Sequence, residues 1–174
     1  WKFDGDANGN YQETEYNSEG QAIGYTTTEY AYALDGLYVG DMPQTSYVLG
    51  VTLKPIKDLR IQAIHKMYDK NYSDWSPSAR EFDGTNDDAD RAQVWEAPSY
   101  NRLDLHMSYK LPKVKDLDMM LTANIFNVLD EVYVQDAVDN SQYNGYGSKQ
   151  HLPHNAEVFL GTPRYANIGL SIGF

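Results

Sequence analysis

Apolar and polar side chains alternate along several segments of this 174-residue chain. From Leu103 to Leu111 every odd-numbered residue is apolar or aromatic, and from Arg102 to Lys110 every even-numbered residue is polar. Successive side chains of a β-strand point to opposite faces, so a period of two predicts a strand with one apolar and one polar side. A chain built from such segments is expected to fold as an all-β protein.

The same alternation recurs in four further segments, although in one of them, residues 59–72, it blurs at His65 and Asp69. This brings the number of predicted strands to about five. The segments are residues 46–54, 59–72, 117–127 and 165–174.

The connections between these strands alternate in length. KPIKD and PKVKD are short connections, whereas residues 73–99, 136–157 and the segment before Ser46 are long and loop-like. Long structureless loops are uncommon in compact soluble domains. Outer-membrane β-barrels, in contrast, combine short periplasmic turns with long extracellular loops. The pattern therefore predicts an antiparallel transmembrane β-barrel with long extracellular loops.

The direction of the strands agrees with this prediction. If KPIKD is a periplasmic turn, the following strands run out, in, out and in, and the last one ends at Phe174 in the periplasm. Charged residues such as Arg102 and Asp104 are costly against lipid but ordinary in a water-filled lumen. A soluble β-sandwich that serves as a binding module, for example for carbohydrate, remains an alternative, because its strands also alternate.

Composition narrows the function classes. A formal net charge of -11 disfavours binding to nucleic acid phosphates, and the absence of cysteine excludes disulfides and thiolate metal sites. Fifteen tyrosines favour an interface between apolar and aqueous phases. No nucleophile elbow, zinc-protease motif or phosphate-binding glycine loop is present, so we do not expect an enzyme.

Three segments in order, LYVGDMPQ, LTANIFNVLDEVYV and VFLGTPRYANIGLSIGF, resemble the end of TonB-dependent receptors, especially those of the Bacteroidetes type. The resemblance covers the chain from Leu37 onward. It implies that residues 1–174 are the C-terminal part of a receptor β-barrel domain, about the last five strands of a 22-stranded barrel. The plug and the upstream strands would then precede Trp1.

The resemblance also implies a function and a location. A receptor of this family lies in the bacterial outer membrane and imports a scarce nutrient such as a siderophore, vitamin or oligosaccharide. Its partners would be outer-membrane lipid, a small-molecule substrate, and the TonB complex, reached through the missing N-terminal part. No cofactor would be required. Phe174 matches the terminal phenylalanine that forms part of the barrel-assembly signal in the family.

One local motif predicts a metal site. DGDANGNYQETE fits the calcium-loop pattern D-x-[DN]-x-[DN]-G-x5-E, with the turn glycine at Gly9. Calcium binds six to eight oxygens, which this spacing wraps around one ion. The same residue types are also common in ordinary turns, so a simple turn remains the alternative. The predicted Ca2+ ligands are Asp4, Asp6, Asn8, Asn10 (through its carbonyl) and Glu15.

Several residues near the predicted strand ends are candidates for substrate binding. Trp75, Trp95 and Tyr146 have rings that stack on a sugar or an aromatic siderophore, or that form an aromatic girdle at the membrane interface. Arg102 guides anions through the lumen or pairs with Asp104. The HLPH segment, residues 151–154, has the spacing of a weak transition-metal site.

Overall fold

The structure is a computed structural model that describes residues 1–82, 89–143 and 150–174. These residues form antiparallel β-sheets joined by turns and three short 3-10 helices, which confirms the predicted all-β class. None of the helices among the described residues has the length and hydrophobicity needed to span a membrane. The strands are β1 (Ala7–Tyr16), β2 (Ala22–Tyr32), β3 (Pro43–Leu53), β4 (Leu59–Tyr72), β5 (Glu81–Phe82), β6 (Glu96–Ala97), β7 (Tyr100–Lys110), β8 (Asp118–Phe126), β9 (Val134–Asp139), β10 (Ala156–Leu160) and β11 (Tyr165–Gly173).

The chain divides into two compact units, which we describe separately. We call the first the hairpin unit; it comprises Trp1–Asp41, Tyr72–Trp95 and Ala137–Glu157. We call the second the sheet unit; it comprises Met42–Asn71, Glu96–Asp136 and Val158–Phe174.

The sheet unit contains the five strands that the alternation predicts. They pair in the order β11-β8-β7-β4-β3, each antiparallel to its neighbours, and the short β6 also pairs with β4. Among these five strands, neighbours in the sheet are also consecutive along the chain. This meander confirms the five predicted strands. Among the described residues the sheet is open, with β3 and β11 at its edges, and forms no closed barrel.

The register places most apolar residues of the five strands on one side of the sheet, which we call the apolar face, while Val48, Ile64, Met120 and Phe126 lie on the other side. Leu105 lies between Ala63 and Ile125, and Leu121 lies beside Leu170. Large side chains on this face are open to solvent: Leu49 is 66% exposed and Leu170 is 56% exposed. The face comprises Tyr47, Leu49, Val51, Leu53, Leu59, Ile61, Ala63, His65, Met67, Leu103, Leu105, Met107, Tyr109, Met119, Leu121, Ala123, Ile125, Ala166, Ile168, Leu170 and Ile172.

The opposite side, which we call the polar face, holds the most deeply buried charge of the sheet unit. Asp104 is only 1% exposed, while its neighbours Leu103 and Leu105 on the apolar face are half-buried. At the edge strand β11, Asn167 is exposed. On β7 the charged side chain of Asp104 is thus more buried than the apolar side chains beside it. In a water-soluble sheet the apolar side chains are the buried ones.

The hairpin unit differs from the sequence prediction. The segment before Ser46 was expected to be a loop, and this expectation is wrong for residues 7–16 and 22–32, which pair as the β1-β2 hairpin. Threonine and tyrosine give this segment high β-propensity, but both of its faces are polar, so it shows no apolar period. The long connections likewise contain the short strands β5, β6, β9 and β10.

A small apolar core stabilises the hairpin unit. Its buried members come from the segment after β2, the end of β4 and the following connection. They are Leu34, Leu37, Tyr72, Trp75 and Val94.

Candidate functional site

The polar face of the sheet unit carries a row of hydrogen-bonded side chains that crosses three strands. His106 on β7, Asn124 on β8 and Asn167 on β11 share one row of the register. The Asn124 amide donates to the Asn167 side-chain oxygen at 2.8 Å, and its own oxygen lies 2.8 Å from Nδ1 of His106. Such a row keeps polar side chains satisfied while they face water or a polar ligand.

Asp104 is the centre of charge on this face. Its carboxylate accepts a hydrogen bond from Lys66 Nζ at 3.0 Å and from the Asn127 backbone N–H at 3.0 Å. The Arg102 guanidinium lies 3.6 Å from Oδ1 of Asp104, close enough for an ion pair. A buried carboxylate requires such partners, because an unpaired buried charge is strongly destabilising.

Arg102, the predicted substrate-binding cation, lies on this polar face. Besides the ion pair with Asp104, its guanidinium lies 5.6 Å from the centre of the Tyr133 ring, which is stacked on Tyr100. Among the described residues, Arg102 Nε and the Tyr133 hydroxyl have no hydrogen-bond partner. The structural pairing with Asp104, which the sequence leaves open, is therefore present.

The predicted aromatic residues do not form one cluster. Trp75 is buried in the core of the hairpin unit, where its indole N–H donates to the Tyr38 carbonyl at 3.0 Å and its ring contacts Phe3 edge to face. Trp95 is half-buried, and its carbonyl accepts from Ser73. Trp75 therefore packs rather than presenting an open ring. Tyr146 lies outside the described residues.

The predicted calcium ligands are spread along a strand. Asn8, Asn10 and Glu15 all belong to β1, which is extended. Seven steps of about 3.3 Å separate Asn8 from Glu15 by roughly 23 Å, too far for one ion. Glu15 instead accepts a hydrogen bond from Thr26 on β2.

The two aspartates before β1 do not complete a metal site either. Asp6 accepts two hydrogen bonds from the Arg91 guanidinium, both at 2.6 Å, and a third from the Leu34 N–H. The Arg91 side chain is the main cause that holds the pKa of the Asp6 carboxyl well below its usual range. Asp4 is exposed. The arrangement does not fit the calcium loop, and the described residues contain no cluster of three or more metal-ligating side chains.

The hairpin unit contains a buried charge network that sequence reasoning missed. His151 is its centre: Nδ1 lies 2.6 Å from Asp139 and Nε2 lies 3.0 Å from Asp90. The fully buried Arg80 guanidinium contacts Asp90 at 3.0 Å, and Ser141 Oγ donates to Asp139 at 2.9 Å. Five residues from separate segments of the chain are thus joined by ion pairs and hydrogen bonds. The only sequence signal was HLPH, which predicted a metal rather than a charge network.

The network neutralises its own charges. Burial disfavours a charged imidazole, but hydrogen bonds to Asp139 and Asp90 outweigh burial and raise the pKa of His151 to about 9. Ser141 and Asp139 both approach Nδ1, and Nε2 is occupied by Asp90. A protonated imidazole with both nitrogens engaged does not take a proton from a serine.

Comparison with known proteins adds no family assignment: no family model, no curated protein and no solved structure matches this chain. The polar face of the sheet unit therefore remains the candidate site on geometry alone. Phe174, the predicted assembly-signal residue, follows β11 and is fully exposed.

Proposed function

We propose that this chain forms the C-terminal part of the β-barrel of a TonB-dependent outer-membrane receptor. The observation that carries the proposal is the meander of five long strands with an exposed apolar face and a charged, hydrogen-bonded polar face. In a membrane barrel the apolar face meets lipid and the polar face lines the lumen.

Strand length supports the proposal. The five strands have 9 to 14 residues, and a transmembrane β-strand needs about 9–11. At about 3.3 Å per residue, the eleven residues of β7 extend about 36 Å, which at a tilt of ~40° spans roughly the 25 Å apolar band of such barrels.

The connections support it as well. β3 and β4 are joined by residues 54–58, and β7 and β8 are joined by residues 111–117. The two turns lie at the same end of the sheet, where the Lys110 N–H donates to the Asp58 carbonyl at 2.9 Å. All longer connections leave from the other end. This arrangement matches the short periplasmic turns and long extracellular loops of outer-membrane barrels.

The alternative, a soluble β-sandwich, lacks a supporting contact. A sandwich buries its apolar face against a second sheet. Within the described residues, Leu49 and Leu170 on this face remain more than half exposed. We therefore favour the membrane barrel.

The finer parts of the proposal come from the sequence resemblance to the Bacteroidetes-type receptors. The complete barrel would have 22 strands and a plug, would work with the TonB complex, and would import a siderophore, vitamin or oligosaccharide without a resident cofactor. Phe174 would belong to the assembly signal. On the lumenal side, Arg102 and the row from His106 to Asn167 would contact the passing polar substrate.

A pair of substitutions on β8 tests the proposal. Leu121→Arg places a charge on the apolar face, where arginine near the bilayer midplane costs about 2–4 kcal/mol, so assembly should fall at least about tenfold. Thr122→Arg places the same charge on the polar face next to Gly169 and should assemble to within about twofold of the parent protein. The measurement is heat-modifiable gel migration of outer-membrane fractions from cells that express the protein as its gene encodes it.

Equal assembly of the Leu121→Arg and Thr122→Arg proteins contradicts the assignment of the two faces. So does a parent protein that stays monodisperse without detergent.

A further inference from the structure

We propose that the two short turns of the sheet unit bind anionic phospholipid headgroups, such as phosphatidylglycerol, at the membrane surface beside them. The inference rests on the proposed function and adds a lipid-binding site to it. We define the turn site as residues 54–60 and 110–118.

The two turns have nearly the same sequence. Residues 56–59 read IKDL and residues 114–117 read VKDL. In each turn the backbone carbonyl of the first residue accepts from the N–H of the leucine three positions on, at 3.4 Å in the first turn and 3.1 Å in the second. The repeat thus forms two related tight turns at one end of the sheet.

Both turns present an apolar side chain between lysines. Ile56 is 60% exposed and Val114 is 53% exposed. Lys57 and Lys115 follow them directly and are exposed as well. An apolar side chain flanked by lysines suits the boundary between acyl chains and headgroups. There the apolar side chain enters the acyl layer and the lysines reach the phosphates.

The charge of the turn site is opposite to that of the chain. The site contains six cationic and three acidic residues, a net charge of +3, whereas the whole chain carries -11. Without Arg60, Lys110 and Asp118, which lie on the polar face, the site keeps four cationic and two acidic residues, a net charge of +2. The cationic residues are Lys54, Lys57, Arg60, Lys110, Lys113 and Lys115, and the acidic ones are Asp58, Asp116 and Asp118.

Part of this positive charge is not used within the protein. Lys110 and Lys113 contact Asp118 at 3.6 Å and 3.2 Å. Lys54, Lys57 and Lys115, in contrast, form no ion pair with any residue of the described ranges 1–82, 89–143 and 150–174. Three lysines are therefore available to an anionic partner.

The site is continuous with the apolar face. In each turn a leucine follows the aspartate directly. Leu59 is the first apolar-face residue of β4, and Leu117 immediately precedes β8. Beside the first turn lies an open depression of about 570 Å³ that Lys54, Ile56 and Arg60 line. If the apolar face meets acyl chains, Lys54, Lys57 and Lys115 lie at the level of the lipid phosphates. This position favours an anionic lipid over an acidic protein as the partner.

The test compares two matched double variants of the protein as its gene encodes it, each reconstituted into vesicles of equimolar phosphatidylglycerol and phosphatidylcholine. Native mass spectrometry then counts the lipids that stay bound. The parent should retain phosphatidylglycerol in excess. The Lys57→Gln/Lys115→Gln variant should lose that excess by about tenfold, since each lysine near an anionic surface contributes a several-fold preference.

The control Lys2→Gln/Lys70→Gln removes the same charge outside the turn site and should stay within twofold of the parent. Lys57→Arg/Lys115→Arg should restore the excess. An unchanged excess in Lys57→Gln/Lys115→Gln overturns the lipid inference but leaves the barrel proposal standing. A parent protein that does not enter the vesicles overturns both.

Discussion

Replacing Asp104 with alanine should destabilise β7 and β8 by about 3 kcal/mol, because it removes the buried acceptor around which the polar face is organised. The change leaves the Asn127 N–H without its 3.0 Å acceptor and brings Lys66 and Arg102 together without a counter-charge. We expect this loss of stability to appear as a lower free energy of local opening, which hydrogen exchange of the β7 and β8 amides measures.

Two further variants separate the causes. Asp104→Asn keeps an oxygen for the Asn127 N–H but removes the charge, so its effect should lie between those of the parent and Asp104→Ala. Asp118→Ala removes a half-exposed carboxylate whose ion pairs with two exposed lysines contribute at most about 1 kcal/mol. Equal losses in Asp104→Ala and Asp118→Ala would show that burial of Asp104 does not matter.

Gly40→Ala should disrupt the hairpin unit, because there is no space for a side chain at this position. An added Cβ would lie 2.5 Å from the Asp74 Cα and 2.5 Å from the Ser73 carbonyl oxygen. These are backbone atoms that cannot move aside as a flexible side chain does, so we expect a loss of about 3 kcal/mol or failure to fold. Hydrogen exchange of the amides in residues 72–82 measures it.

Gly24→Ala is the control for this prediction. It lies in β2 of the same unit, and the nearest atom to its added Cβ is a Glu15 carboxylate oxygen at 3.9 Å. It should change stability by less than about 1 kcal/mol. If the Gly40→Ala protein is as stable as the Gly24→Ala protein, the backbone at Gly40 does not lie as close to Ser73 and Asp74 as described.

The sheet was predictable because its signal is local. The alternation at residues 103–111 needs only neighbouring residues to be read, and the register then places Leu105 beside Ala63 and Ile125. The β1-β2 hairpin was missed because strands that are polar on both faces leave no such alternation.

The candidate site was only partly predictable. Arg102 was placed correctly on the polar side by the same period of two. The charge network of Arg80, Asp90 and His151 was not, because its members come from distant segments whose meeting depends on the tertiary fold. The calcium motif stays a prediction: its spacing presumes a coiled loop, whereas the structure has residues 7–16 extended and paired with β2.

In the proposed barrel the apolar face contacts lipid and the polar face contacts water. Met107 and Ser108 are neighbours on β7, an inner strand between β4 and β8, and they point to opposite faces. The measurement is fluorescence of a probe on Met107→Cys or Ser108→Cys, each as the only cysteine of the membrane-inserted protein, with a lipid-borne nitroxide and aqueous iodide as quenchers. We expect nitroxide to quench at position 107 and iodide at position 108. Quenching by iodide at 107, or by neither agent there, would contradict this assignment of the two faces.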